Sequence, residues 1–140
     1  MSEELKAWLA INNFDHTEDR GENGSTPLLL AAREGKSKFV LELLELGTDV
    51  DAVNNDNNNS LWNAVYAEDE TSIRALVSYK INKDNRNVNG ATPLLYAASN
   101  GKANMVKLLL ELGCDKNVRT IDDYNALELA STKEVLMLLK

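Results

Sequence analysis

Side chains of the types that most often carry catalysis are scarce in this chain. It has one histidine, His16, and one cysteine, Cys114, so these residue types cannot supply the ligands of a zinc site. His16 lies in the polar stretch from Phe14 to Asp19. We interpret it as a solvated loop residue rather than as a general base, and neither residue therefore indicates an enzyme.

Carboxylate groups are numerous, with 22 Asp and Glu residues, but their positions favour structural roles. Those that recur in the predicted loops are Asp49, Asp51, Asp115, Asp122 and Asp123. Recurrence of this kind is typical of turn and capping residues. The asparagine-rich tract 54–59 lacks the spacing and the terminal Glu of a calcium loop, and no glycine-rich phosphate loop is present. We therefore predict a non-catalytic protein with no metal site and no cofactor.

Length, charge and hydropathy limit the remaining function classes. A chain of 140 residues fits one domain. The net charge of −7 opposes binding to nucleic acid or to anionic membranes. No apolar run is long enough to span a bilayer, no secretory signal is visible, and a single cysteine fits a reducing compartment. We expect a cytoplasmic monomer that binds neither nucleic acid nor membrane.

One pattern of a turn followed by a helix occurs twice, at Asn23–Gly35 and again at Asn89–Gly101. In each copy an Asn-Gly pair suits a turn that needs positive φ. Thr92 can cap the following helix, and Pro93 suits its first turn, where a missing N–H costs nothing. The repetition predicts an architecture of stacked units.

Two weaker copies complete the series. The predicted helix starts are Pro27, Leu61, Pro93 and Ala126, at similar but unequal intervals. Each unit reads as helix, short turn, helix and polar loop. This order, with a period of about 33 residues, resembles the ankyrin repeat. The signature of that repeat, Thr-Pro-Leu-His-x-Ala, is matched at 26–31 and 92–97 with Leu in place of His.

The resemblance implies an all-α solenoid of stacked helix-turn-helix units joined by hairpin-like loops. We expect one domain, 1–140, with about three full repeats and partial end caps. Its predicted parts are an N-terminal half-repeat or cap (1–22), repeat 1 (23–57), a degenerate repeat 2 (58–89), repeat 3 (90–122) and a shortened C-terminal cap (123–140). The family usually has a small Ala at the position of Cys114, so we expect a packed, unreactive thiol.

The second repeat departs most from the pattern. Trp62 takes the place of a leucine, and Val65 and Tyr66 take the place of the Ala-Ala pair. Lys80 stands where the other repeats end their second helix with Gly, and a Lys in the left-handed region costs on the order of 1 kcal/mol relative to Gly. We expect Trp62 to be repacked in the interior. Tyr66 either opens the packing locally or points outward.

The resemblance also implies that the chain binds proteins, because the family uses its turn tips and the exposed sides of its first helices to line a concave groove. Carried over by position, the predicted partner-binding residues are Arg33, Glu34, Asp56, Asn57, Asn59, Asn63, Tyr66, Glu68, Asn89, Ser99, Asn100, Asp122 and Tyr124. The set is mostly Asn, Asp and Glu, with Tyr124 as its clearest aromatic. Its acidity predicts a basic surface on the partner.

Two classes of function follow. The leading hypothesis is a non-catalytic protein-interaction module that binds a folded partner through the acidic groove. An inhibitor, or an immunity or antitoxin-like binder that covers a basic active site, belongs to this class. The alternative is a structural segment of a larger ankyrin array whose binding surface lies elsewhere.

Overall fold

The regular structure consists of nine α-helices and one short 3-10 turn at Glu22–Gly24, in a computed structural model that describes residues 1–140. The chain packs as two compact units, Met1–Ile81 and Asn82–Lys140. The prediction of an all-α fold is confirmed. None of the helices has the length and apolarity needed to cross a bilayer.

The first unit contains one single helix and two helix pairs: α1 (Glu3–Ile11), α2 (Pro27–Arg33) with α3 (Ser37–Glu45), and α4 (Ser60–Tyr66) with α5 (Glu70–Ser78). Helix α2 packs on α4, and α3 packs on α5. The sides of these four helices that face one another form one apolar core, in which Leu28, Leu43, Leu61 and Leu76 are fully buried. Stacking of the two helix pairs therefore buries apolar side chains that a single short pair would leave exposed to water.

The second unit contains α6 (Pro93–Ser99) with α7 (Ala103–Glu111), and α8 (Ala126–Leu129) with α9 (Lys133–Leu139). The packing repeats that of the first unit, with α6 against α8 and α7 against α9. Helix α8 has only four residues, against seven in α6. Ser131 then donates its N–H to the carbonyl of Ala98, and Thr132 caps α9.

The start of every first helix is fixed by a side-chain cap. Thr26, Asn59, Thr92 and Asn125 have extended backbones, and each side-chain oxygen accepts the N–H of the residue three positions on. These caps satisfy donors that a helix start leaves unpaired. They recur at equal intervals along the chain. The unequal intervals predicted for the helix starts were therefore wrong, because Ser60, not Leu61, stands at the proline position.

The caps shift the second repeat by one residue relative to the predicted alignment. Leu61 is the buried leucine, and Ala64 and Val65 occupy the Ala-Ala positions. The prediction that Tyr66 replaces an alanine was wrong. Tyr66 stands at the position of Arg33 and is 46% exposed, so its ring points outward. Trp62 stands one position later in the repeat than predicted. Its side chain is half-buried and is not enclosed in the interior as expected.

The expectation of backbone strain at Lys80 is confirmed. Its φ is 63°, against 83° and 89° at the matching Gly47 and Gly113. Glu68 has a φ of 55°, where the other repeats place glycine. Two charged residues in the left-handed region make the second repeat the least regular part of the first unit.

A pair of proline substitutions tests the register that the caps set. Ser60→Pro is expected to leave the free energy of unfolding unchanged or to raise it by up to about 1 kcal/mol, because the first helical position needs no N–H and proline restricts the unfolded chain. The Ser60 hydroxyl is buried without a hydrogen-bond partner, so nothing is lost with it. Urea unfolding measures the effect.

Leu61→Pro is the matched comparison. Leu61 is fully buried, so its loss is expected to cost about 3 kcal/mol or more. A Leu61→Pro protein as stable as the parent, or a Ser60→Pro protein that unfolds, would contradict the register.

Candidate protein-binding surface

The loops between repeats end in turn tips that share one hydrogen-bond pattern. Asn54 N–H donates to the Asn58 carbonyl, and Asn57 N–H donates back to the Asn54 carbonyl. Asn57 has a φ of 63°, and the matching Gly90 has a φ of 73°. The same pattern recurs at 87–91 and 120–124. Each tip therefore presents its second and third residues to solvent on a defined backbone.

Arginine side chains hold these tips in place. Arg20 donates to the carbonyls of Gly24 and Val53, and so joins two successive tips. Arg86 bonds the Gly90 carbonyl at 3.2 Å and the Arg119 carbonyl at 2.8 Å, which repeats the arrangement in the second unit. This role of the arginines was not predicted. The only signal for it is that Arg20, Arg86 and Arg119 stand at the same position of their repeats.

Several loop carboxylates accept backbone N–H groups, as predicted. Asp49 accepts the N–H of Asp51 at 3.0 Å, and Asp115 accepts that of Asn117 at 2.8 Å. Between repeats, Asp84 accepts the Asp115 N–H at 3.0 Å. No cluster of three or more His, Cys, Asp or Glu side chains has the geometry of a metal site. These carboxylates shape loops.

Eleven of the thirteen predicted binding residues are exposed. In the first unit they are Arg33, Glu34, Asp56, Asn57, Tyr66 and Glu68, and in the second Asn89, Ser99, Asn100, Asp122 and Tyr124. Those of the first unit come from the C-terminal ends of α2 and α4 and from the intervening tip.

Two predicted binding residues are buried, so their assignment was wrong. Asn59 is 1% exposed because its side chain is the cap of α4. Asn63 is 2% exposed, and its side-chain amide donates to the Leu29 carbonyl at 2.8 Å. The Asn59 side chain caps its own helix, and the Asn63 side chain joins α4 to α2, so neither is accessible to a partner.

Three side chains form a stack on the first unit. Arg33 and Tyr66 occupy equivalent positions in α2 and α4, and the Arg33 guanidinium carbon lies 5.1 Å from the centre of the Tyr66 ring. Tyr66 lies nearly parallel to Trp62, one turn earlier in α4, with ring centres 6.1 Å apart and an angle of 8°. We call these residues the Arg33–Tyr66–Trp62 stack. The stack was not predicted, because the predicted alignment of α4 was off by one residue.

Helix α1 contacts the residue that follows Arg33 in the chain. The Trp8 indole N–H donates to the Glu34 carboxylate at 3.0 Å, and the Trp8 ring packs 5.3 Å from Phe39. Glu34 is next to Arg33 in the chain. Its carboxylate is therefore held by α1 while remaining partly in solvent.

The charge is divided unequally between the two units. Met1–Ile81 contains 15 acidic and 7 basic residues, a net charge of −8. Asn82–Lys140 contains 7 acidic and 8 basic residues, a net charge of +1. The acidity predicted for the whole surface thus belongs to the first unit. In the second unit the exposed tip residues include Val88, Ile121 and Tyr124, which are apolar or aromatic.

Comparison with known proteins agrees with the repeat pattern. A family profile described as ankyrin repeats (3 copies) matches residues 2–87 and 61–140. A putative ankyrin repeat protein of Acanthamoeba polyphaga mimivirus is 32% identical over 108 residues, which cover 77% of this chain and 13% of that protein. Human ankyrin repeat and SOCS box protein 3 is 32% identical over 117 residues, 81% of this chain and 22% of that protein.

A mouse B-cell lymphoma 3 protein homolog is 28% identical over 124 residues, 88% of this chain and 28% of that protein. The chain therefore spans between 13% and 28% of the length of these three curated relatives. Ankyrin repeats generally mediate protein–protein interaction and are not catalytic.

The reactivity of the single thiol tests whether Cys114 is packed in the interior. Burial raises the pKa of Cys114 to about 12, and the residue is 6% exposed. Alkylation by iodoacetamide at pH 8 is therefore expected to be about a hundredfold or more slower in the folded protein than in urea, because the thiolate is the reactive form. Rapid alkylation of the folded protein would contradict a packed thiol.

The same shift predicts a pH dependence of stability. The folded state keeps the thiol proton to higher pH than the unfolded state, so stability falls as pH rises from 9.0 towards about 12. The slope from this group is at most about 1.4 kcal/mol per pH unit. Cys114→Ala is the control, since it removes this contribution and leaves other titrating groups in place.

Proposed function

Because the chain belongs to the ankyrin-repeat family, we propose that it is a non-catalytic protein-interaction module whose first unit binds a basic surface of a folded partner. The observation that carries this proposal is the net charge of −8 on that unit. Exposed carboxylates at Glu34, Asp56 and Glu68 lie among the predicted binding residues. Opposite charge on the partner would accelerate encounter and exclude acidic competitors.

The Arg33–Tyr66–Trp62 stack supports the same location. Interfaces derive most of their binding energy from a few residues, with Trp, Tyr and Arg enriched among them, surrounded by a polar rim. All three types occur together in the stack, and the exposed polar residues of α2, α4 and the tip supply a rim. The other residues of this surface then contribute complementarity more than binding energy.

The second unit would contribute contacts of a different kind. Its near-neutral charge and the exposed Val88, Ile121 and Tyr124 suit apolar contacts rather than electrostatic attraction. A partner region that meets this unit would therefore be apolar rather than basic. Cytoplasmic location and a monomeric state remain part of this proposal.

An inhibitor is the most specific form of the proposal. A small acidic binder can occlude a basic active site, as an immunity or antitoxin-like protein would. The alternative is a structural segment of a longer ankyrin array, and the greater length of the curated relatives is the observation that favours it.

Paired charge reversals test the proposed surface. Asp56→Lys with Glu68→Lys should weaken binding of partners captured from source cells by about tenfold or more, because two attractive charges become repulsive. Capture is quantified by mass spectrometry, and the affinity of each captured protein is then measured at two salt concentrations. Attraction of this kind should weaken as salt rises.

The matched control is Glu3→Lys with Glu45→Lys. It makes the same change in the net charge of the first unit, at exposed positions of α1 and α3 outside the predicted binding residues. Retention of partners by the control, but not by the test pair, supports the surface. Equal binding by both pairs would show that the predicted surface is not where the partner binds, as the structural-segment alternative expects.

A further inference from the structure

We propose that Arg33 receives a side-chain carboxylate of the partner, placed within the partner's basic surface. This inference rests on the proposed function and assigns one contact within it. It gives the otherwise acidic surface one position that selects an anion.

The guanidinium of Arg33 is held in place but its donors are not used. It lies over the Tyr66 ring at 5.1 Å, and it makes no hydrogen bond or ion pair with the rest of the chain. A guanidinium over an aromatic face directs its N–H groups outward from its edge, in the fork that matches a carboxylate. Arg33 therefore presents an ordered pair of donors to solvent.

Tyr66 is itself braced. The near-parallel Trp62 ring, 6.1 Å away, lies on the same helix, and Arg33 covers Tyr66 from α2. The rings are thus already engaged with each other and with Arg33. A partner cation is for this reason a poorer occupant of the stack than a carboxylate that completes the Arg33 fork.

The other two arginines of the first unit already have acceptors. Arg20 donates to the carbonyls of Gly24 and Val53, and Arg74 pairs with Glu70 at 3.5 Å. Arg33 is the arginine of this unit without one. The exposed carboxylates of Glu34, Asp56 and Glu68 repel an anion elsewhere on the predicted surface, so Arg33 is the member of that surface that favours a partner carboxylate. Such a combination of attraction and repulsion fixes the orientation of a complex.

The two proposals predict opposite changes in the affinity for the partner when the Arg33 charge is removed. If the partner surface is only basic, removal of the Arg33 charge strengthens binding. If a carboxylate meets Arg33, the same removal weakens binding.

The experiment uses two blocked heptapeptides as probes. One has a central glutamate flanked on each side by three lysines, and the other has glutamine in its place. Fluorescence anisotropy at low salt measures their affinities for the full chain. The glutamate peptide is expected to bind about fivefold more tightly, although it has less positive charge. The preference should disappear in Arg33→Ala and should be reduced in Arg33→Lys, since lysine keeps the charge but lacks the fork.

Arg74→Ala is the control, because it removes an exposed arginine of the same unit and should leave the preference unchanged. Equal or tighter binding of the glutamine peptide, with both peptides bound, would overturn the carboxylate contact and leave the proposed function standing. A preference that is undiminished in Arg33→Lys would also overturn the contact through the guanidinium fork. If neither peptide binds, the acidic surface does not attract cations, and the proposed function fails with the inference.

Discussion

The side-chain cap at the start of each first helix is the constraint on which the rest of the structure depends. Thr26, Asn59, Thr92 and Asn125 each satisfy a helix N–H at the same point of the repeat. A cap of this type is worth about 1 kcal/mol. Its larger consequence is positional, because it fixes which residues face the core. The register it sets brings Arg33 in α2 opposite Tyr66 in α4.

Much of the fold could be predicted from the sequence because Thr-Pro marks a helix start by two independent physical effects. The second repeat lacks both residues, and an asparagine can cap a helix or adopt positive φ in a turn. In the tract 54–59, Asn57 does the second and Asn59 the first. Their identical chemistry gave no means to tell them apart. A one-residue error followed, and it moved Tyr66 onto an alanine position.

The candidate surface was less predictable for a related reason. Burial of Asn63 depends on a hydrogen bond to the Leu29 carbonyl, which leaves no mark in the sequence. The tip contacts of Arg20 and Arg86 are likewise made to backbone carbonyls. The total charge of −7 also concealed its division into −8 and +1. Charge acts locally, since exposed charges are screened over about 8 Å at physiological salt, so the division matters more than the sum.

The most direct test of binding at the acidic first unit is a chemical-shift map of the isotope-labelled chain bound to the glutamate heptapeptide. We expect the largest changes at Arg33, Tyr66, Glu68 and the Trp62 indole. Amides of α3 and α5 should shift little. Changes confined to Asn82–Lys140, or centred on the second helices, would contradict the assignment of binding to the acidic first unit.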